Sequence, residues 1–514
     1  MKRSTVGFLF LLLIGALGIL AWRYLTPILF KREQLDTSDA GNAQQLRIGG
    51  DNFLGYWFMT SPEMRVQALR KGIRINFSDD GGAYAVRLRK FAQKEYDCIV
   101  LPVNSYLEQG SKVDFPGVIV AAISESKGAD GIVGFADRLP SGKINDLNDP
   151  GLSIVYTGES PSAFLLDLTI ADFDLDRLRD SESWRVPVES TGQVLQRAKK
   201  GQGDAFVLWE PDLSRALALP GMKYVWGSDK FSGYIVDVFV FHRDFLKRHP
   251  DTVSNFLETY FRVMALYANN RERMLKEMAR STDLSQSLLE NLLDKLEWYD
   301  LSENSRMQFG IAAKAGQEVR DGIVNTIIAC TDVLLRTGKL ERDPLGGDPY
   351  LITNSRVLED LSRNTALTLG TGATHDASFE ALPEEAWRAL NEIGTFRVEP
   401  ITFQTWNNLL TDEGKTKVDK IANLLNNNYP GYRIVIRGHT GPGGDERENE
   451  KLSLARAEAV RQYMVAVHSV NANRLLAEGV GSKFPAERKP GESPRAYQYR
   501  LPRVELIAVE ENRL

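Results

Sequence analysis

From Leu46 to about Tyr350 short apolar runs alternate with stretches of helical spacing, and nothing else in the sequence restricts the fold as strongly. A run such as Cys98-Ile99-Val100-Leu101 is too short to be a buried helix and lacks the polar alternation of a surface strand. It reads as a strand covered on both faces, with helical crossovers between such strands, so an α/β fold on mostly parallel sheet is expected. A second α/β pattern occupies residues 396–509. Residues 353–395 have weaker apolar spacing, with Gly370, Gly372 and scattered threonines. A chain of 514 residues outgrows one hydrophobic core, so two cores are expected. The division that follows is 1–32 as membrane anchor or signal segment, 33–46 as tether, 47–350 as the first domain, 351–395 as linker and 396–514 as the second domain.

The N-terminus carries Lys2 and Arg3, then an uncharged run from Val6 to Trp22, and apolar residues resume from Leu25 to Phe30 before Lys31 and Arg32. The run is near the lower limit of about 17 residues for a spanning helix, and Trp22 with Tyr24 suits an interfacial belt. A cleaved export signal with Ala16 and Gly18 at the cut is the alternative. The apolar residues past that point favour an uncleaved anchor through residues 6–30. Both readings export the remainder, so the expected location is the bacterial inner membrane, single-pass, with both domains in the periplasm. The polar stretch 33–46 reaches at most about 50 Å when extended, which keeps the first domain near the bilayer.

The formal charge is -5, which leaves nucleic acid without the electrostatic attraction that dominates its binding. Only Cys98 and Cys330 occur, far apart in apolar surroundings, so a disulfide framework and a CxxC metal or redox site are both excluded and two buried thiols are expected. No metal, cofactor or catalytic residue is expected.

Within the first domain one pattern occurs twice. A helical stretch from Tyr84 to Gln93 leads to Asp97, the run Cys98–Leu101 and Pro102; another, from Val194 to Lys200, leads to Asp204, the run Ala205–Trp209, Glu210 and Pro211. Two such halves would face each other across a crevice at the carboxyl ends of their strands, although βαβ units share this look in general. The clearest corner is a strand Leu152–Tyr156 followed by Thr157, Gly158, Glu159, Ser160, Pro161 and Ser162, with Ser160 placed to cap a helix that Pro161 begins. Its free backbone N–H groups suit an anionic or polar ligand group, and an ordinary capped helix is the plainer reading. Further ligand candidates at strand ends are Asn52, Tyr56, Trp57, Glu125, Lys127, Trp209 and Glu210. Asp237 stands inside the apolar run Ile235–Phe241, where a carboxylate needs a partner or a ligand.

Taken in order, GGDNFLGYWFM, ISESKGADGIV, YTGESPSAFLL, DAFVLWEPDLSRAL and YIVDVFVF resemble the nitrate/sulfonate/taurine-type periplasmic substrate-binding proteins of ABC importers over about residues 46–345. The resemblance implies two lobes that close on a ligand by a hinge. It leaves the ligand open among nitrate, sulfonates, bicarbonate, phosphate-like anions and thiamine-pyrimidine precursors, and the carboxylates at Asp51, Asp79, Asp80, Glu125 and Glu210 suit a zwitterion or amine as well.

In the second domain Thr411 or Asp412 opens a helix stopped by Tyr429-Pro430-Gly431, a strand Arg433–Arg437 ends in Gly438-His439-Thr440, and a helix from Leu452 and strands Leu475–Val480 and Val504–Val509 complete the unit. FQTWNNL, RIVIRGHT, ENEKLSLARAEAV and RVEL resemble the OmpA-like peptidoglycan-associating domain over about residues 398–510. In that family an aspartate after GHT and an arginine after LSxx grip the diaminopimelate of the wall peptide. The resemblance therefore implies wall-binding roles for Thr440, Asn449, Arg456 and Arg503. The aspartate is replaced by Gly441, with Asp445 the nearest carboxylate, and the terminal NRRV pattern is altered to Leu501-Pro502-Arg503-Val504.

The expected whole is a two-lobed periplasmic-binding-protein fold followed by a small OmpA-like α/β domain behind an N-terminal transmembrane helix. Its expected function is a non-enzymatic, envelope-tethered capture of a small anion or zwitterion for an ABC importer or a sensor, with an ABC permease or signalling partner and peptidoglycan as further partners. The alternative is a structural scaffold of the cell envelope whose first domain no longer serves transport.

Overall fold

The computed structural model describes residues 43–282, 284–312, 318–363, 379–404, 407–489 and 491–511. The segment 1–32 and most of the expected tether lie outside these residues. Among the described residues no helix is long and apolar enough to cross a membrane.

The first lobe opens with β1 (Gln44–Gly50), β2 (Ile73–Asp79), α1 (Tyr84–Ala92), β3 (Cys98–Pro102), α2 (Val103–Gly110) and β4 (Gly117–Ser126). The chain crosses at Lys127–Ala129 into a second lobe of β5 (Asp130–Phe135), β6 (Ile154–Thr157), α3 (Pro161–Asp172), β7 (Arg185–Val188), α4 (Thr191–Lys199), β8 (Ala205–Trp209) and β9 (Met222–Gly227). It returns through residues 228–235 to the first lobe as β10 (Val236–His242), α5 (Pro250–Ala268), β11 (Leu296–Trp298), α6 (Gly322–Arg336) and α7 (Arg356–Ser362). The final elements are β12 (Asn391–Phe396), α8 (Asp412–Asn427), β13 (Arg433–His439), α9 (Glu446–His468), β14 (Leu475–Gly479) and β15 (Arg503–Glu510).

The first-lobe sheet runs β11-β4-β10-β3-β1-β2 and the second-lobe sheet β7-β6-β8-β5-β9. In each, three parallel strands (β2, β1, β3 and β7, β6, β8) adjoin one antiparallel strand, β10 or β5. The sheets are therefore mixed rather than mostly parallel. The reason is the double crossing: β5 and β10 each enter a sheet directly from the other lobe, without a helical crossover to turn them parallel.

The repeated pattern in the sequence corresponds to a repeated clamp. Asp97 accepts the Arg47 N–H at 2.9 Å and returns its own N–H to the Arg47 carbonyl at 2.8 Å. Asp204 does the same with Ser153, at 2.7 Å and 2.8 Å. In each lobe the aspartate just before β3 or β8 thus ties that strand to its parallel neighbour, β1 or β6. Helix α3 begins as expected, with Ser160 Oγ accepting the Ser162 N–H at 3.2 Å and Pro161 in the first turn.

The C-terminal sheet runs β12-β15-β13-β14. Helix α8 is capped by Thr411, whose Oγ1 accepts the Gly414 N–H at 3.0 Å. Two expectations about the connections need correction. Strand β1 begins at Gln44, and Leu46, placed in the tether, is fully buried in the first-lobe core. The expected linker 351–395 is folded at both ends, because Val357, Leu358 and Leu361 of α7 join that core and β12 pairs with β15 from Asn391. The expectation of two separate cores also fails. One buried apolar cluster holds Ile99, Phe164, Phe173 and Trp226 of the lobes together with Phe396, Tyr429 and Leu506 of the C-terminal domain. Large aromatic side chains supplied from both sides join what sequence spacing would separate.

Candidate functional site

The two lobes meet at the carboxyl ends of their parallel strands, where α2 and α3 pack together. On the first-lobe side β10 lies between β3 and β4, which sets Asp237 opposite Pro102 on one side and Ser124 on the other. Asp237 is 2% exposed and accepts a short hydrogen bond from the Tyr56 hydroxyl. Burial pushes its carboxyl well above the ordinary range; the Tyr56 bond opposes this, and Asp51 and Asp130 reinforce it. Burial thus favours the protonated form of Asp237, which can donate as well as accept.

Among the described residues, four buried polar atoms around this seam have no hydrogen-bond partner: Ser124 Oγ, Asn104 Oδ1, Thr157 Oγ1 and Ser162 Oγ. Ser124 lies two residues before the end of β4, Thr157 closes β6, and Asn104 and Ser162 each take the second position of their helices, α2 and α3. Unpaired buried polar atoms are rare because each costs about 1–3 kcal/mol, and here they come from both lobes. The three hydroxyls can donate and the positive helix ends at Asn104 and Ser162 favour an electron-rich group, whereas Asn104 Oδ1 can only accept.

Four carboxylates of the region already have cations. Arg87, which is fully buried, bonds both Asp51 and Asp80. Glu125 accepts Lys127 Nζ at 2.7 Å, the Gly233 N–H at 2.7 Å and the Tyr299 hydroxyl at 2.5 Å, while Lys127 also donates to Ser232 Oγ at 2.7 Å. These contacts tie one interlobe crossing to the other, so Glu125 and Lys127 brace the hinge. Glu210 accepts from the Ser214 N–H and hydroxyl at 3.0 and 2.8 Å and pairs with Lys295, which lies beside β11 in the first lobe, giving an ion pair across the lobes. Asp130 bonds Ser126 Oγ at 2.7 Å; burial raises its carboxyl to about 6, with Ser126 opposing and Glu210 assisting.

Of the residues expected from the sequence, Tyr56, Asp237, Thr157 and Ser162 contribute polar groups at the seam, and Ser160 and Gly158 shape the α3 corner. Ser160 Oγ donates to the Thr157 carbonyl at 2.7 Å, and the Gly158 N–H donates to the Val188 carbonyl at 3.0 Å. Asn52 is exposed and Trp209 half-buried. Trp57 is a correction: its ring packs edge-on to Phe58 and Tyr267 and its indole N–H donates to Ser281 Oγ at 2.9 Å, which makes it part of the first-lobe core. Sequence reasoning missed Asn104, Ser124, Arg87 and Lys295. Asn104 had a signal, since it follows the Pro102 that matches Pro211 in the repeated pattern. Both cysteines are buried free thiols.

A second site lies in the C-terminal domain, where α9 crosses the end of β13. There Gly438 and Gly479 allow the backbone of Ser453 and Leu454 to approach, and a Cβ at Gly438 would stand 2.0 Å from the Ser453 carbonyl oxygen. One turn on, Arg456 is half-buried, lies over the Phe403 ring at 5.3 Å and donates to the Asn407 carbonyl at 3.4 Å. Burial alone lowers its pKa, with no carboxylate countering it. Thr440 is buried and its Oγ1 has no partner. Asp445 does not replace the missing aspartate, because it caps α9 through the Arg447 and Glu448 N–H groups at 2.9 and 3.1 Å. Asn449 Nδ2 donates to the Gly443 carbonyl at 2.8 Å. Arg503 pairs with Glu505 at 2.7 Å; burial raises the Glu505 carboxyl, but His439 and Arg503 outweigh it and hold it at about 2. Among the described residues the site offers the Arg456 guanidinium without an ion-pair partner and the Thr440 hydroxyl without a hydrogen-bond partner.

Residues 402–498 match the family model described as the OmpA family. The chain is 32% identical over 120 residues to outer membrane protein Omp38 of Acinetobacter baumannii, covering 23% of this chain and 32% of that protein. It is 32% identical over 95 residues to outer membrane porin F of Pseudomonas aeruginosa, covering 18% of this chain and 27% of the porin. The chain thus spans about a third of the length of the curated relatives it matches. Similar solved structures include the alkanesulfonate-binding protein SsuA from Xanthomonas axonopodis pv. citri bound to MOPS, at 15% identity and TM-score 0.44, covering 58% of this chain and 95% of that one. The periplasmic nitrate-binding protein NrtA from Synechocystis PCC 6803 aligns at 10% identity and TM-score 0.45, over 63% and 89%. The C-terminal domain is OmpA-like.

Proposed function

We propose that this chain is an envelope-tethered solute-binding protein that captures a small anion or zwitterion between its lobes, while its C-terminal domain associates with the cell wall. The observation that carries the first half is the set of four unpartnered buried polar atoms, Ser124 Oγ, Asn104 Oδ1, Thr157 Oγ1 and Ser162 Oγ, contributed by both lobes at strand and helix ends. Asp51, Asp80, Glu125 and Glu210 each have a cationic partner and burial favours the protonated forms of Asp237 and Asp130. The three unpartnered hydroxyls, which can donate, therefore suit an oxyanion, while Asn104 Oδ1, which can only accept, suits a donor group of the same solute. The nitrate, sulfonate and phosphate-like class fits that balance. Delivery to an ABC permease, or signalling through lobe closure, are the two uses such capture serves. Residues 6–30 would hold the chain in the inner membrane with both domains in the periplasm.

Wall association in this reading runs through Arg456 and Thr440, with Gly441 removing the carboxylate that would meet an amine. A scaffold without a solute is the second reading, favoured by the Tyr56–Asp237 bond and the Lys295–Glu210 pair that already occupy the seam. Thermal-shift titration of the intact chain with nitrate, sulfonates, sulfate, phosphate and amino acids separates the two. A solute at about 100 times its dissociation constant adds about 2.7 kcal/mol to the stability of the folded state. A raised melting temperature with one anion, lost in Ser124→Ala and Ser162→Ala, supports capture; no shift with any of them favours the scaffold.

A further inference from the structure

The C-terminal domain does not hang from a linker. Its edge strand reaches the second lobe, where Arg397 N–H donates to the Asp172 carbonyl at 2.8 Å and Asp174 N–H to the Thr395 carbonyl at 3.1 Å, an antiparallel bridge between Phe173 and Phe396. Those two rings stack at 5.1 Å, Phe173 meets Trp226 edge-on at 5.0 Å, and Trp226 stacks on Tyr432 at 6.4 Å. Asn428 grips the returning interlobe crossing from both sides: its carbonyl accepts the Ser232 N–H at 2.8 Å and its Nδ2 donates to the Ser232 carbonyl at 2.9 Å. The loop that does this is held rigid by Arg474, buried and donating to the carbonyls of Leu425, Tyr429 and Tyr432.

The junction centres on Asp172, 1% exposed at the end of α3. Its carboxylate accepts the Tyr234 hydroxyl at 2.9 Å from the crossing, the Tyr429 hydroxyl at 2.7 Å from the C-terminal domain, and the Arg336 guanidinium at 2.5 Å from α6. Helix α6 packs on α2 of the first lobe as well as on α3. A rotation that parts the lobes therefore draws Arg336 away from Asp172, and undocking the C-terminal domain removes Tyr429 from the same carboxylate. Undocking also uncovers the buried Asp172 to water, which screens its pair with Arg336, so the two events are energetically linked.

We infer that the C-terminal domain is a clamp on the two-lobed receptor: docked at the Asp172 corner it holds the lobes in their present arrangement, and its release lets the seam open. The inference takes its purpose from the solute-capture reading, but the mechanical claim stands apart from it. It means that whatever the C-terminal domain grips bears on the state of the seam.

The test uses the intact chain with nitroxide labels at exposed positions, which the buried Cys98 and Cys330 do not disturb. One pair, Glu272→Cys with Lys200→Cys, reports the distance between the lobes; a second, Lys200→Cys with Val467→Cys, reports the docking. In an Asn428→Ala/Tyr429→Phe background, and in Tyr429→Phe alone, which removes one oxygen and leaves the ring, both distances are expected to shift outward together. The open population should rise by about tenfold, the scale of one hydrogen bond to a buried carboxylate. A lengthened docking distance with an unchanged interlobe distance overturns the clamp. Unchanged distances in both pairs overturn it too, since these contacts would then not hold the domain in place. No solute enters the measurement, so a chain that binds no anion in the thermal-shift titration but moves as a unit here loses the solute reading and keeps the clamp.

Discussion

Restoring a carboxylate at position 441 should convert the C-terminal site into one that holds both charges of a diamino acid. The substitution is Gly441→Asp. The backbone at Gly441 lies outside the left-handed region, and an added Cβ would meet only Pro502 Cγ, at 4.0 Å. The change is therefore expected to move folding stability by no more than about 0.5 kcal/mol, as for an ordinary surface substitution. In the proposed wall association Arg456 and the Thr440 hydroxyl would meet the carboxylate of a diaminopimelate-containing peptide, while its ammonium would lack an acid, since Asp445 is engaged at the cap of α9. A charged hydrogen bond to that ammonium contributes about 1.5–3 kcal/mol. Affinity should then rise by about 10- to 100-fold. Isothermal titration of the intact chain and the Gly441→Asp variant with the same muropeptide reads this directly, and Arg456→Ala in the variant background should remove the gain, because the two charges act on one ligand. An intact Gly441→Asp variant with no gain in affinity would refute the reasoning.

Three further outcomes follow from the seam and the junction. Ser124→Ala removes a buried hydroxyl without a partner, so the variant should unfold at the same or a higher temperature while binding the solute more weakly; thermal melting and titration together check the opposite signs. Asp130 has its carboxyl raised from 3.8 to about 6, so the folded state holds its proton above the pH at which the unfolded chain releases it, and the associated stability is full below about 4 and lost as pH rises through about 6. Asp130→Asn should therefore stabilise the chain by up to about 3 kcal/mol at pH 7.5 and by little at pH 4, as read from denaturant midpoints at the two values. Phe173→Ala empties the aromatic junction between the second lobe and β12, and should cost about 3–5 kcal/mol in urea unfolding followed by tryptophan fluorescence.

Local chemistry was readable in the sequence where it lay within a few residues. The Ser160-Pro161 cap, the Thr411 cap and the two aspartates that precede β3 and β8 all stand where spacing placed them. Asp237 was legible as an anomaly because a carboxylate inside an apolar strand violates the pattern around it. Its partner was not, since Tyr56 lies 181 positions away, and the same separation in sequence hid Lys295 from Glu210 and Tyr429 from Asp172, 85 and 257 positions apart. Strand direction escaped for a related reason. The runs that became β5 and β10 look like any buried strand, and only the double crossing between lobes turns them antiparallel. The junction was lost in the weak spacing of residues 351–395, because the side chains that close it, Phe396, Tyr429 and Tyr432, read as ordinary core of the second domain.

Capture of a small solute between the lobes is tested most directly by native mass spectrometry of the intact chain, isolated from the cell envelope in mild detergent. The account predicts a stoichiometric small anion or zwitterion that dissociates on collisional activation and is absent from Ser124→Ala/Ser162→Ala. A mass equal to the bare polypeptide in every preparation, unchanged after incubation with periplasmic extract, would contradict it.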